Sequence, residues 1–177
     1  MNPALPHMAL KNSPVCDFGW PAPDFTLATP TGERHSRDSL MDQSGRVVVF
    51  ICNHCPYVLR IASDLSKQLN ALQARHVGVA AIMANDYDAY PSDAPDKMVA
   101  FAATHGFDFP YLVDEDQSVA RAYGAACTPD FFGFNADGTL QYRGNFAGLT
   151  DAMTQVATTG AGPRDQTASM GCSIKWR

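Results

Sequence analysis

Cys52 and Cys55 stand three residues apart in the run Ile51-Cys52-Asn53-His54-Cys55-Pro56. Two thiols at this spacing, where a strand turns into a helix, come within disulfide reach, so the pair can cycle between dithiol and disulfide. Pro56 sets the local geometry. Proline suits the first helical position, where its missing N–H takes nothing from the helix. Cys55 is then the N-cap, facing unpaired N–H groups and the positive end of the helix. Thiols in such settings have their pKa lowered from about 8.5 to ~3.5–7.5. A cationic His54 nearby lowers it further and stabilises the reduced form, which makes the pair more oxidising. The cap argument favours Cys55 as the anion-stabilised thiol with Cys52 as its partner, and the reverse assignment stays open. Two bland readings compete: a chance pair of small buried residues, and a zinc half-site, which needs two more ligands where no second CxxC or paired CxxH exists.

The strand and helix that must hold this pair are legible. Arg46-Val47-Val48-Val49-Phe50-Ile51 reads as a strand buried on both faces. Val58, Ile61, Leu65, Leu69 and Leu72 recur at helical steps after it. Val77 to Met83 reads as a second buried strand, and the order strand, helix, strand implies a right-handed parallel crossover. Before these, Pro21 to Leu27 leads into a short strand, Thr31-Gly32-Glu33 reads as a turn, and Ser36 to Leu40 as one helical turn. Further on, a polar loop runs from Asn85 to Asp93. Pro95 opens a helix stopped by Gly106, Tyr111 to Val113 is extended, and Asp116 caps a short helix closed by Gly124. Phe131 to Phe134 and Thr139 to Tyr142 flank Asn135-Ala136-Asp137-Gly138 as an antiparallel hairpin. A last helix is expected over Thr150 to Thr159. The whole is a mixed sheet with helices on both faces. The domain boundaries follow: an irregular N-terminal arm over 1–20, a domain over 21–160, and a tail over 161–177 docked through Ile174 and Trp176.

Composition narrows the function classes. The chain has 177 residues and a net charge of -5, which fits one domain and argues against a nucleic-acid binder, which needs a basic face. No apolar run approaches the roughly 18 residues of a membrane span. Met1 to Trp20 lacks the apolar core of a secretory signal, so a cytoplasmic, reducing setting is expected. There a close cysteine pair is catalytic or metal-binding more often than structural. The five cysteines are Cys16, Cys52, Cys55, Cys127 and Cys172; an odd count argues against a closed disulfide framework. Asp86, Asp88, Asp93 and Asp96 lack the spacing of a calcium loop and read as a solvated acidic loop. Asp114-Glu115-Asp116 reads as helix N-terminal charge. No phosphate-binding loop is present, and neither a cofactor nor a metal is called for.

The run from Val47 to Val58 around Cys52-Asn53-His54-Cys55-Pro56, with Ala126-Cys127-Thr128-Pro129-Asp130-Phe131-Phe132 downstream, resembles the thioredoxin-like, AhpC/TSA-related proteins often called peroxiredoxin-like. The resemblance covers residues about 20 to 160, and the ending Gly171-Cys172-Ser173-Ile174-Lys175-Trp176 also looks familial. It implies a thioredoxin-like α/β fold with a cis proline facing the redox cysteines, a role that falls on Pro129 with Thr128 before it. Cys127 then lies near the pair. Cys127 and Cys172 become possible additional redox cysteines, each with the bland alternative of a packed thiol. The departures are informative. Peroxiredoxins carry proline seven and threonine three residues before the attacking cysteine; counting back from Cys55 gives Val48 and Cys52, and from Cys52 gives Gly45 and Val49. Thioredoxins carry Trp before the first cysteine, where this chain has Ile51.

Three activities are therefore in view. The first is a thiol–disulfide oxidoreductase acting on a protein or small-molecule disulfide and returned to the dithiol by a reductase or thiol reductant. The second is a peroxiredoxin-like antioxidant peroxidase. The third is a copper-binding module on the same fold. None calls for nucleic acid or a membrane.

Overall fold

The computed structural model describes residues 9–177. In chain order the strands and helices are β1 (Leu10–Asn12), β2 (Thr26–Ala28), β3 (Arg34–Ser36), β4 (Arg46–Phe50), α1 (Pro56–Leu59), α2 (Ala62–Ala74), β5 (Gly78–Met83), α3 (Pro95–His105), β6 (Tyr111–Val113), α4 (Ser118–Tyr123), β7 (Cys127–Thr128), β8 (Asp130–Phe134), β9 (Leu140–Tyr142), α5 (Phe146–Thr159) and β10 (Met170–Ser173). Single 3-10 turns sit at Asp38–Leu40 and Pro91–Asp93.

The main sheet has the order β3-β2-β6-β5-β4-β8-β9. β4 and β5 run parallel, as do β5 and β6, while β8 lies antiparallel to β4. Every residue of β4 is buried, and alternation sends its side chains to two cores. Val47 and Val49 pack with Leu65, Leu69 and Leu72 of α2, Met98 of α3, and Leu149, Met153 and Val156 of α5. Val48 and Phe50 pack on the other face with Val119, Ala120 and Tyr123 of α4, with Phe25, and with Ile174 of the tail. Helices thus cover both faces, with most of the helical mass on the first.

A second, three-stranded sheet has the order β1-β10-β7. The two sheets meet at Thr128-Pro129, a cis peptide bond. Thr128 pairs with Cys172 in the small sheet, and Asp130 pairs with Phe50 in the large one. This junction brings β7 beside the end of β4, where Cys52 lies.

Several local expectations need correction. Residues 1–20 are not irregular throughout, because Leu10–Asn12 pairs with β10; that pairing comes from the far end of the chain and leaves no local pattern. Residues 1–8 of the arm lie outside the described residues. One helix was expected after Cys55, but Arg60 and Ile61 separate α1 from α2, with Ile61 flattened to ψ -5. The expected turn over Ser36 to Leu40 begins as strand, since Ser36 pairs with Thr26. The last helix starts at Phe146, where the Asn145 side chain accepts from the Gly148 N–H and caps it. The tail packs on the body through Ile174, which is buried, and Trp176, which lies under Arg121. Its β10 strand was not foreseen. No helix among the described residues is long and apolar enough to cross a membrane.

Candidate active site

Cys55 is the residue before α1 and Pro56 its first helical residue, as the proline placement demands. The helix is only four residues long, so its dipole is small, and the Cys55 side chain makes no capping hydrogen bond. Even so the Cys55 thiol is pulled down to about 4. The leading cause is a hydrogen bond from the Cys52 thiol; burial opposes it, and hydrogen bonds from Cys172 and Thr128 add to it, with the Val58 N–H dipole contributing last. The helix end invoked in the cap argument is a secondary cause of this lowering. Neighbouring thiols outweigh the helix end.

The same contact acts in reverse on the partner. Cys52 is pushed well above an ordinary thiol, first because it donates to Cys55 and second through burial. Its Sγ lies 3.7 Å from the Thr128 hydroxyl, while Cys55 Sγ lies 3.3 Å from the Thr128 carbonyl. The carbonyl contact is a hydrogen bond only while Cys55 is protonated. In the thiolate the donors at Cys52, Cys172 and Thr128 must outweigh it. All five cysteines are free.

His54 is anchored by a residue that sequence reasoning placed in solvent. Asp93 is 0% exposed and accepts three hydrogen bonds: from His54 Nδ1 at 2.6 Å, from the Asn53 N–H at 2.8 Å and from Asn85 Nδ2 at 3.1 Å. Its position in the turn Pro91–Asp93 turns the carboxylate inward. The expectation of a solvated acidic loop is therefore wrong for Asp93. Asp88 is exposed and Asp86 partly buried, both paired with Arg177. The Asp93 hydrogen bond raises the pKa of His54 against the opposing effect of burial, and the charge on Cys55 raises it further. By reciprocity a cationic His54 favours the Cys55 thiolate. The imidazole stacks on Tyr90 at 5.5 Å. Asn53 also accepts from the Tyr111 hydroxyl at 2.9 Å, so both residues between the cysteines are held. Asn85, Tyr90 and Tyr111 carried no sequence signal for this role. Cys52, His54 and Asp93 bring a thiol, an imidazole and a carboxylate within 4.8 Å of one another.

Cys127 and Cys172 part company. Cys127 Sγ bonds the Pro129 carbonyl at 3.4 Å, and burial pushes its thiol up to about 12. Cys172 Sγ lies 3.0 Å from Cys55 Sγ. Burial and that contact push it to about 12 as well.

Neither sulfur of the 52–55 pair reaches the surface; Cys52 is 1% and Cys55 0% exposed. A cavity of about 440 Å³ opens at Tyr57 and Pro129, chain neighbours of the Cys55-Pro56 and Thr128 positions, lined also by Arg60, Ile61, Phe146 and Met170 and by no cysteine. A cavity of about 490 Å³ bounded by Thr29, Met98 and Tyr111 contains no cysteine.

Comparison with known proteins agrees with this architecture. No curated protein matches the chain. An uncharacterized conserved protein from Geobacillus kaustophilus superposes with a TM-score of 0.91 at 35% identity, over 96% of this chain and 97% of that one. A hypothetical protein from Sinorhizobium meliloti 1021 gives 0.90 at 35% identity, over 94% and 98%. A secreted disulfide oxidoreductase from Mycobacterium tuberculosis, homologous to E. coli DsbE, gives 0.61 at 22% identity, over 73% and 94%; at that identity the likeness establishes the thioredoxin-like fold. The model of the AhpC/TSA family matches residues 18–143. By that match, which spans most of its length, the chain belongs to the AhpC/TSA family.

Proposed function

We propose that the protein is a thiol–disulfide oxidoreductase in which Cys55 attacks and Cys52 resolves. One observation carries the reading: Cys55 Sγ lies against Thr128 of the cis Thr128-Pro129 bond and among neighbouring thiols, which pull its own thiol down. The Cys55 thiolate attacks one sulfur of a substrate disulfide, forming a mixed disulfide while the other sulfur leaves as a thiolate. Cys52 then loses its proton and attacks Cys55 Sγ, which releases the second substrate thiol and leaves Cys52–Cys55 oxidised. His54, held by Asp93, supplies positive charge beside the attacking sulfur. The substrate is a protein or small-molecule disulfide, and a reductase or thiol reductant returns the dithiol. The cavity at Tyr57 and Pro129 is the approach; because both sulfurs are buried, substrate entry requires the groups between that cavity and Cys55 to move. In this reading residues 21–160 carry the machinery, the docked tail covers it, and a reducing, cytoplasmic setting suits it. Two proteins of the same fold, the disulfide oxidoreductase from Mycobacterium tuberculosis and a thiol:disulfide interchange protein from Chlorobium tepidum, are named for the same class of reaction. Insulin reduction by Cys52→Ser and Cys55→Ser variants tests it. Both are expected to lose turnover, and unimpaired turnover in both rejects the mechanism.

Membership of the AhpC/TSA family favours a second reading, reduction of peroxide through a sulfenic acid on Cys55. Cys52 stands where the peroxide-orienting threonine is expected, which weakens it. Stopped-flow oxidation by hydrogen peroxide decides: a rate no better than a free thiol's removes it. The Cys52, His54 and Asp93 cluster favours a third, metal binding, in which the soft thiolate selects Cu(I). Copper titration followed by mass spectrometry tests it, and failure to retain copper dismisses it.

A further inference from the structure

We propose that Cys172 is a third redox thiol that forms a disulfide with Cys55, so that the oxidised pair resides on either 52–55 or 55–172. The proposal rests on Cys55 being the attacking sulfur and extends that reading. The two sulfurs, 117 residues apart in the chain, lie 3.0 Å from each other. A disulfide bond is about 2.05 Å long, so roughly 1 Å of approach closes it.

The contact is built rather than incidental. Cys172 sits within β10, which is bonded along both edges: Cys172 pairs with Leu10 of β1 on one side and with Thr128 of β7 on the other. Thr128 also meets Cys55 through its carbonyl and Cys52 through its hydroxyl. Three thiols are thus gathered around one residue. Gly171 makes the approach possible, since a Cβ there would collide with the Thr128 carbonyl. β10 also fills the edge of β7, where an incoming extended chain would otherwise add a strand. The sulfur-bearing strand that Cys55 meets first is therefore its own chain's.

The chemistry balances. When Cys55 carries half of a substrate disulfide, Cys172 Sγ attacks Cys55 Sγ and the bond from Cys55 to the substrate breaks. The substrate sulfur leaves as a thiolate and takes the Cys172 proton. Over the cycle the substrate disulfide gains two electrons and Cys55 with Cys172 lose them. Cys52 can then attack Cys55 Sγ, passing its proton to the departing Cys172, in an exchange without net oxidation.

Trypsin separates the outcomes, because Cys52 and Cys55 share the peptide 47–60 whereas Cys172 lies on 165–175 and Cys127 on 122–143. The protein and its Cys52→Ser variant are equilibrated in graded mixtures of reduced and oxidised glutathione, quenched in acid, alkylated and digested. The expected result is a linked pair of 47–60 with 165–175 in both, absent from Cys172→Ser. In Cys52→Ser, glutathione should leave Cys55 at least tenfold faster than in the Cys52→Ser, Cys172→Ser double variant. No linked pair, a link from 165–175 to 122–143 instead, or equal release rates would overturn the proposal. Should Cys52→Ser fail to fold, fragmentation of the linked pair from the unaltered chain decides: Cys55 bridged and Cys52 alkylated supports the proposal, and no linked pair or a bridge at Cys52 overturns it. Loss of the internal 52–55 bond with the 55–172 link intact would instead count against Cys52 as resolver and leave this proposal standing.

Discussion

Cys55 and Cys127 lie close to the same proline and are equally buried, yet their thiols go opposite ways, one down to about 4 and the other up to about 12. Around Cys55 the groups that can donate are other thiols and the Thr128 hydroxyl, and an imidazole held by Asp93 stands near. Around Cys127 burial acts first and the Asp130 carboxylate second, both against the thiolate, with Arg143 compensating in part. Arg143 is largely engaged by Asp130, at 2.8 Å, in a buried ion pair. Burial by itself raises a thiol. What separates a reactive cysteine from an inert one here is which charge and donor neighbours share the buried space.

Breaking each region sharpens the contrast. The largest effect belongs to Cys55→Ser, which should bring disulfide reduction down to the uncatalysed background by removing the nucleophile. Cys127→Ser should leave turnover unchanged in the same insulin assay; an equal loss from both variants would erase the distinction. Next, Arg143→Ala leaves Asp130 as an unpaired buried charge, which costs about 3–5 kcal/mol, read as a lower midpoint in urea denaturation. Its effect should fall on stability, with the pH dependence of Cys55 reactivity unmoved.

The smallest effect comes from the support of His54. Asp93→Asn removes the charged acceptor of three hydrogen bonds and should lower stability by about 1–3 kcal/mol. The His54 pKa, titrated by NMR, should fall toward its ordinary value near 6.5. Its sign in pH follows from the raised folded pKa. The His54–Asp93 pair contributes fully below the unfolded value of about 6.5, and the contribution is lost as pH rises through the higher folded value. A stability difference between the two proteins that grew with rising pH would contradict this.

What the sequence disclosed follows a physical divide. β4, β5 and the spacing of Cys55 to Pro56 are local patterns, so the strand-to-helix turn could be read directly. The parallel pairing of β4 with β5 followed from the crossover rule. Three features depended on contacts far along the chain. β1 and β10 are short strands whose partners supply the order, and neither alternates visibly. Asp93 reads as one more surface acid until Asn53, His54 and Asn85 converge on it. Cys172 gains its place only when β10 lies along β7. The break between α1 and α2 at Ile61 was hidden because the apolar spacing of Val58, Ile61 and Leu65 runs straight through it.

The claim on which the account turns is that Cys55 is a thiolate at neutral pH while its neighbours stay protonated. Thiolate ultraviolet absorbance of the reduced protein, minus that of Cys55→Ser, measured from acid to neutral pH, addresses it directly. A midpoint near 4 is expected, with the signal complete by neutrality and lost as pH falls. A midpoint near the ordinary thiol value of about 8.5, or no difference between the two proteins, would contradict it.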